Sequence, residues 1–192
     1  MTNINWSALV DATEDNKRAA DMLIRTDDGI ERRTGYDGGW LYLHDSVHTS
    51  SNKQSITADT LTHVTIDGLA DDSTTDFRRG IPLDVFGNSS TIQPFATGEV
   101  YNINLTFRIS KSSSTATFAE IDVGIGADYS TMIARDRRSL TKGSGIEDFL
   151  FFNGTLFVTE PFARYGARFF IQCSEDVMLW DKAIMLQRTH SP

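Results

Sequence analysis

Residues 101–110 read Tyr-Asn-Ile-Asn-Leu-Thr-Phe-Arg-Ile-Ser, an unbroken alternation of apolar and polar side chains. Tyr101, Ile103, Leu105, Phe107 and Ile109 share one face, and Asn102, Asn104, Thr106, Arg108 and Ser110 share the other. A period of two sorts residues into an inner and an outer face only on a pleated strand. The segment therefore predicts a strand with one dry and one wet side, the signature of an antiparallel sheet. Residues 117–125 repeat the pattern, with Ala119, Ile121, Val123 and Ile125 inward and Glu120, Asp122 and Gly124 outward. Lys111 to Ser114 reads as the turn joining the two strands.

Weaker signals fill in the rest. Trp40-Leu41-Tyr42-Leu43 predicts a short strand with its aromatics on one face, and Thr60 to Ile66 another, rich in β-branched residues. Ile81 to Val85 reads as an edge strand, because Pro82 cannot donate to a ladder. Asn153-Gly154, between two apolar runs, predicts a hairpin. Gly166 to Cys173 and Val177 to Gln187 predict a final pair around Ser174-Glu175-Asp176. About eight to ten strands separated by turns, with no internal repeat, indicate an all-β antiparallel sandwich or barrel and not a βαβ fold. The runs 149–152 and 177–180 are apolar on both faces. The outer face of a lone sandwich is wet, so a second subunit or the N-terminal segment is expected to cover these runs.

The first 35 residues differ. Ser7 or Asp11 can cap a helix, and Asp11 and Glu14 have capping-box spacing. Leu9, Ala12, Ala19, Ala20, Leu23 and Ile24 form a thin stripe at helical spacing, ended by Asp27-Asp28-Gly29. The stripe is too sparse for a core of its own. Residues 1–35 therefore read as an arm or short helix laid on a neighbour, or as a helix packed on the β domain of residues 36–192. Trp6, Leu9, Val10, Met22, Leu23 and Ile24 are the candidate partner-contact residues, with Trp6 the natural hot spot.

The chain has 192 residues, 40% hydrophobic and 23% charged, as in an ordinary globule. Its net charge of −8 argues against a nucleic-acid partner. No apolar stretch approaches the roughly 18 residues that span a bilayer, and the start lacks the basic and apolar runs of a signal peptide. No membrane partner and no export are expected, so the sequons at Asn88, Asn104 and Asn153 carry no glycan in this reading.

Candidate chemistry is thin. Cys173 is the sole cysteine and is in phase with Phe169 and Ile171, which predicts a buried, inert thiol and no disulfide. His44-Asp45-x-x-His48 gathers two imidazoles and a carboxylate, but on a strand end and loop that favour ordinary polar roles over a metal. Asp67, Asp71, Asp72 and Asp76 make an acidic loop without the EF-hand order. Arg135, Arg137, Arg138 and Lys142 read as a polar turn and strand end. No G-x-S-x-G is present, and Gly124-x-Gly126 and Gly143-Ser144-Gly145 lack the strand–turn–helix context of a phosphate loop. No enzyme activity, catalytic residue, cofactor or metal is expected. The outward aromatics Trp40, Tyr42 and Phe118 suit a sugar or a protein surface equally.

Three segments carry a family likeness. Gly39-Trp40-Leu41-Tyr42-Leu43-His44-Asp45 with its Ser/Thr-rich sequel, the run Gly98 to Ile109, and Trp180-Asp181-Lys182-Ala183-Ile184-Met185-Leu186-Gln187-Arg188 resemble the jelly-roll proteins of tailed-bacteriophage virions, of the trimeric C1q/TNF-like kind. The likeness spans about residues 38–190. It implies a jelly-roll β-sandwich, a homotrimer and a place in the virion. The role it implies is that of a capsid decoration or cement protein, stabilising the head by binding across the major capsid protein or other virion subunits. The alternative it implies is a receptor- or glycan-binding module of a tail or head fibre. Fibre tips follow long repetitive stalks and this chain contains none, which favours decoration. An arm that grips a neighbour, as residues 1–35 are read, is common among cement proteins.

Overall fold

The computed structural model describes residues 23–26, 29–32, 40–67, 70–71, 86–87, 90–94, 96–115 and 117–190. Their strands are β1 (Leu23–Thr26), β2 (Gly29–Arg32), β3 (Trp40–His44), β4 (Gln54–Ile56), β5 (Thr62–His63), β6 (Ala70–Asp71), β7 (Phe86–Gly87), β8 (Thr91–Ile92), β9 (Val100–Lys111), β10 (Thr117–Ile125), β11 (Thr131–Leu140), β12 (Glu147–Phe157), β13 (Ala167–Cys173) and β14 (Val177–His190). A single short helix among them, α1 (Glu160–Tyr165), links β12 to β13.

Two antiparallel sheets face one another. One runs β12-β9-β14-β3-β6, with β4 also on β14; the other runs β11-β10-β13-β8-β7, with β5 also on β13. The chain changes sheet between β9 and β10, β11 and β12, β12 and β13, and β13 and β14. That traffic between layers is what makes the sandwich a jelly roll.

The alternating segments behave as their pattern requires. Tyr101, Ile103, Leu105, Phe107, Ile109, Ala119, Ile121, Val123 and Ile125 are all buried, and Phe169, Ile171 and Cys173 join them from β13. Phe152 of one sheet meets Phe169 of the other edge-on, with ring centres 5.5 Å apart, an arrangement that favours the quadrupoles of both rings. Leu41 and Leu43 of β3 turn into this core while Trp40 and Tyr42 stay outside it.

Several expectations are corrected. Asn153-Gly154 is no turn: β12 runs through it as one strand, registered against β9 from Glu147↔Ser110 to Phe157↔Val100. Asn153 lies opposite Asn104 with their amides hydrogen-bonded, and Gly154 leaves room for the Phe152 ring, which would lie 3.0 Å from a Cβ there. The long ladder with β9 overrides the local turn preference. β13 and β14 do not pair either; Ser174-Glu175-Asp176 crosses from one sheet to the other. Arg135, Arg137 and Arg138 lie within β11 and not at a turn, paired along β10. Only Thr62–His63 of the segment 60–66 is strand, although Val64 and Ile66 are buried.

In the N-terminal segment, Leu23 and Ile24 belong to β1, which pairs with β2 through Leu23↔Arg32 to Thr26↔Gly29. Those two residues are therefore on a strand, not on the helix their spacing suggested. Trp6, Leu9, Val10 and Met22, the rest of the helical stripe, and Ile81 to Val85 lie outside the described residues.

Candidate interaction face

The outer face of the β12-β9-β14-β3 sheet carries Phe149, Phe151, Phe157 and Met185, all exposed large apolar side chains. Register places Phe149, Phe151, Asn153, Thr155 and Phe157 of β12 beside Arg108, Thr106, Asn104, Asn102 and Val100 of β9. Next come Met185 and Gln187 of β14, opposite Asn104 and Asn102, and then Tyr42 and Trp40 of β3. Phe149 and Phe157 are 59% and 69% exposed, against 2% for the inward Phe152 on the same strand. Between the aromatic margins runs a band of amides and hydroxyls that satisfy one another. Asn104 donates to Asn153, and the Thr155 hydroxyl donates to Asn102 Oδ1 at 2.7 Å. At the β3 margin a shallow hollow is lined by Trp40, Met185 and Gln187.

Charge is confined to one end of this face. Arg108 reaches Asp181 at 3.3 Å and Glu147 at 3.8 Å, all three half-exposed, so the pairs contribute little to stability and largely neutralise one another. The double-faced apolar run at 149–152 is accordingly buried only through Leu150 and Phe152; its second face is open in the single chain. Trp180, in the other such run, is buried, and the Lys53 ammonium lies 3.7 Å from its ring centre.

The two outermost long strands differ in protection. On β11, Arg135 pairs with Asp122 at 2.6 Å, Arg137 stacks over Phe118 at 3.4 Å, and Asp136 and Arg138 stand opposite the inward Ile121 and Ala119. Charges at and under an edge discourage another strand from pairing with it. β12 has none of these devices between Phe149 and Phe157: no lysine, arginine, proline or bulge. Arg138 caps only the Phe151 ring, 5.0 Å from its centre.

The buried titratable groups Asp45, Lys182, Glu99 and Arg188 are bound up in structural contacts. Asp45 accepts from the Val47 and His48 backbone N–H groups at 2.8 Å and is 2.7 Å from His48 Nδ1 and 3.1 Å from Lys182 Nζ. Burial works to raise this carboxyl, but the His48 backbone and ring, the Lys182 ammonium and the Val47 N–H together hold it below its usual range. Burial pulls the Lys182 ammonium below its ordinary value, against the opposing pull of Asp45. Lys182 also donates to Gln54 Oε1 at 2.7 Å. The His44-Asp45-x-x-His48 motif is thus a latch holding the loop after β3 to β14, with an ammonium where a cation would sit. Among the described residues no three His, Cys, Asp or Glu side chains are grouped to hold a metal ion. A second buried group joins Arg188 to Glu99 Oε1 at 3.1 Å, while the Tyr101 hydroxyl donates to Glu99 Oε2 at 3.1 Å. Burial pushes the Cys173 thiol up to about 12, which leaves it a poor nucleophile.

Of the residues singled out from sequence, Trp40 and Tyr42 lie on the face, whereas Phe118 lies on the other sheet under Arg137. Asp67 lies 3.9 Å from His48, and Asp72 and Asp76 are outside the described residues. Met185, Gln187 and Phe157 had no distinguishing signal of their own, since the register of β14 and β12 is what brings them to this face. No described helix is long and apolar enough to cross a membrane.

No family model matches the chain, and no curated protein matches its sequence. Among solved structures the fold is similar to that of Eiger TNF from S. frugiperda, with a TM-score of 0.51 and 14% identity, over 81% of this chain and 95% of that one. PRD1 vertex protein P5 aligns with a TM-score of 0.46 and 13% identity, over 81% of this chain and 99% of that one. The first likeness, with the two packed antiparallel sheets, shows the fold to be a jelly-roll β-sandwich.

Proposed function

We propose that the chain is a virion structural protein. It serves as a capsid decoration or cement subunit, assembled as a homotrimer and bound to the major capsid protein or other virion subunits. The observation that carries this reading is the broad, nearly uncharged outer face of the β12-β9-β14-β3 sheet. Its exposed phenylalanines, on a β12 edge that carries no lysine, arginine, proline or bulge between Phe149 and Phe157, suit a large protein contact. Among the described residues, the buried charges Asp45–Lys182 and Glu99–Arg188 are tied into structural latches. The sequence resemblance to tailed-bacteriophage jelly-roll proteins supplies the setting. The test is to purify particles through a density gradient and quantify the protein by mass spectrometry against the major capsid protein. A fixed stoichiometry retained through the gradient supports the proposal, and absence from intact particles overturns it.

A second reading, a glycan- or receptor-binding module, draws on the Trp40–Met185–Gln187 hollow, where an indole lies beside an amide. Specific retention on a carbohydrate array, lost in Trp40→Ala, would establish it in place of decoration.

A further inference from the structure

We propose that the outer face of the β10-β13 pair holds a binding site for a single carboxylated sugar. The Arg168 guanidinium takes the carboxylate, and the Phe170 and Tyr129 rings take the apolar side of the sugar. The site lies on the sheet opposite the interaction face, so it goes beyond the structural role above and does not rest on it.

Two backbone costs meet at one end of this face. Tyr129, between β10 and β11, sits at φ 58°, a left-handed conformation that a bulky side chain adopts only when its surroundings enforce it. Its carbonyl oxygen closes onto β10 at Gly124, where a Cβ would lie 2.3 Å from it. β10 therefore gives up a strand side chain there, at a shift in its register with β11. Neither cost builds the core, which Tyr129 does not enter. What they achieve is the placing of one ring. The Tyr129 hydroxyl donates to the Tyr165 carbonyl at 3.0 Å, and the Arg168 guanidinium lies over the ring, 4.2 Å from its centre.

Arg168 is held on a second side as well, since its Nε donates to the Thr91 hydroxyl at 2.8 Å. Arg108, Arg135, Arg138 and Arg188 each reach a carboxylate, whereas among the described residues Arg168 reaches none. Its two terminal nitrogens remain, the fork that grips a carboxylate through paired hydrogen bonds. Beside it Phe170 lies half-buried, its ring centre 6.4 Å from that of Tyr129 and 5.7 Å from that of His63. An apolar floor next to a charged fork and an imidazole has the composition of a small-ligand site. Charge narrows the ligand. Burial, helped by the Arg168 charge, holds His63 below its ordinary value against the pull of the Ser90 carbonyl and Asp67, so near neutral pH it is uncharged. The site then carries one positive charge, which matches a carboxylate better than a phosphate dianion. A net charge of −8 repels polyanions, which leaves a lone acidic residue at the end of a glycan. An acidic peptide brings the same carboxylate but no rigid apolar ring face for Phe170.

The experiment is saturation-transfer NMR on the full chain with N-acetylneuraminic acid and glucuronic acid, each against its methyl ester. At least one acid should receive saturation, and its ester should bind about tenfold more weakly, because the ester removes the charge that the fork grips. Arg168→Gln should lose binding, while Trp40→Ala should keep it. Tyr129→Asn puts a residue that favours the left-handed region at the strained position, so it should melt no lower than the wild type and still lose binding. A tyrosine that serves only packing would do the reverse, and that result overturns the site. The ester comparison needs no variant, so it decides the matter even if Arg168→Gln does not fold. Equal binding of acid and ester, or no binding of either acid, overturns the site. So does binding kept in Arg168→Gln and lost in Trp40→Ala, which would put the sugar in the hollow on the other sheet. Displacement of the acid by an equal concentration of sodium sulfate, or of a tripeptide ending in glutamate, overturns the assignment to a sugar. Absence of the protein from particles leaves this site standing and overturns the virion reading alone.

Discussion

Asp45 and Lys182 show how much of the fold depends on a single buried charge pair. Each is fully enclosed, and each is tolerable only because of the other and the donors around them. Lys182→Met leaves the carboxylate without its counter-ion and should cost about 3–5 kcal/mol in urea unfolding. Adding Asp45→Asn removes the stranded charge while keeping an acceptor for the Val47 and His48 N–H groups, so the double variant should recover much of that loss. The same pair sets an acid response. Asp45 is held below its unfolded value of 3.8, so its stabilisation is complete above that value and disappears as pH falls through the lower, folded one. Lys182 works in the opposite region. Its lowered value imposes a penalty that lifts only as pH rises between the folded value and 10.5. Melting temperature between pH 2 and 5 should therefore fall less steeply in Asp45→Asn than in the wild type.

At the scale of elements, β12 separates what local sequence can say from what it cannot. Asn153-Gly154 is a strong turn signal, yet β9 offers a matched partner along the whole of β12, and the cumulative ladder outweighs a two-residue preference. Gly154 then acts through space. A Cβ there would lie 3.0 Å from the Phe152 ring, so Gly154→Ala should destabilise by about 1–3 kcal/mol through overpacking. Phe152→Leu deletes the offending ring atoms, so the two substitutions should couple positively in a double-mutant cycle; a glycine serving a turn would show no coupling to Phe152. The strands β9 and β10 were legible because one face is wet and the other dry. β11 was not, because Asp136 and Arg138 occupy its inner side and erase the alternation. The partners of β13 and β14 were also illegible, since a three-residue link between two apolar strands looks alike whether it turns within a sheet or crosses between sheets. The interaction face was half legible: Trp40 and Tyr42 declared themselves as outward aromatics, while Met185 and Gln187 acquire their place only from register.

For the whole molecule, the core among the described residues runs from Leu41 to Leu186 and closes both faces of the sandwich interior between β3 and β14. Deleting residues 1–35 should leave the melting temperature little changed and weaken attachment to particles, read by sedimentation of bound protein. Loss of folding in the truncated chain would place the segment within the domain instead.

β14 lies between β9 and β3, and β3 pairs with it across a sequence separation on the order of 140 residues. The order of synthesis therefore has a consequence. While the chain is being made, β3 and β9 wait without their shared neighbour, and the sheet that bears the interaction face stays open until β14 has emerged. Folding of such a topology is governed by the entropy of closing a long loop, so refolding from denaturant should take milliseconds to seconds and not microseconds. Ribosome-stalled chains ending before residue 177 should remain sensitive to protease, whereas chains stalled well beyond residue 190 should resist it. If the proposed role holds, recognition by a partner is timed by β14, and a half-made subunit cannot compete for a place in an assembly.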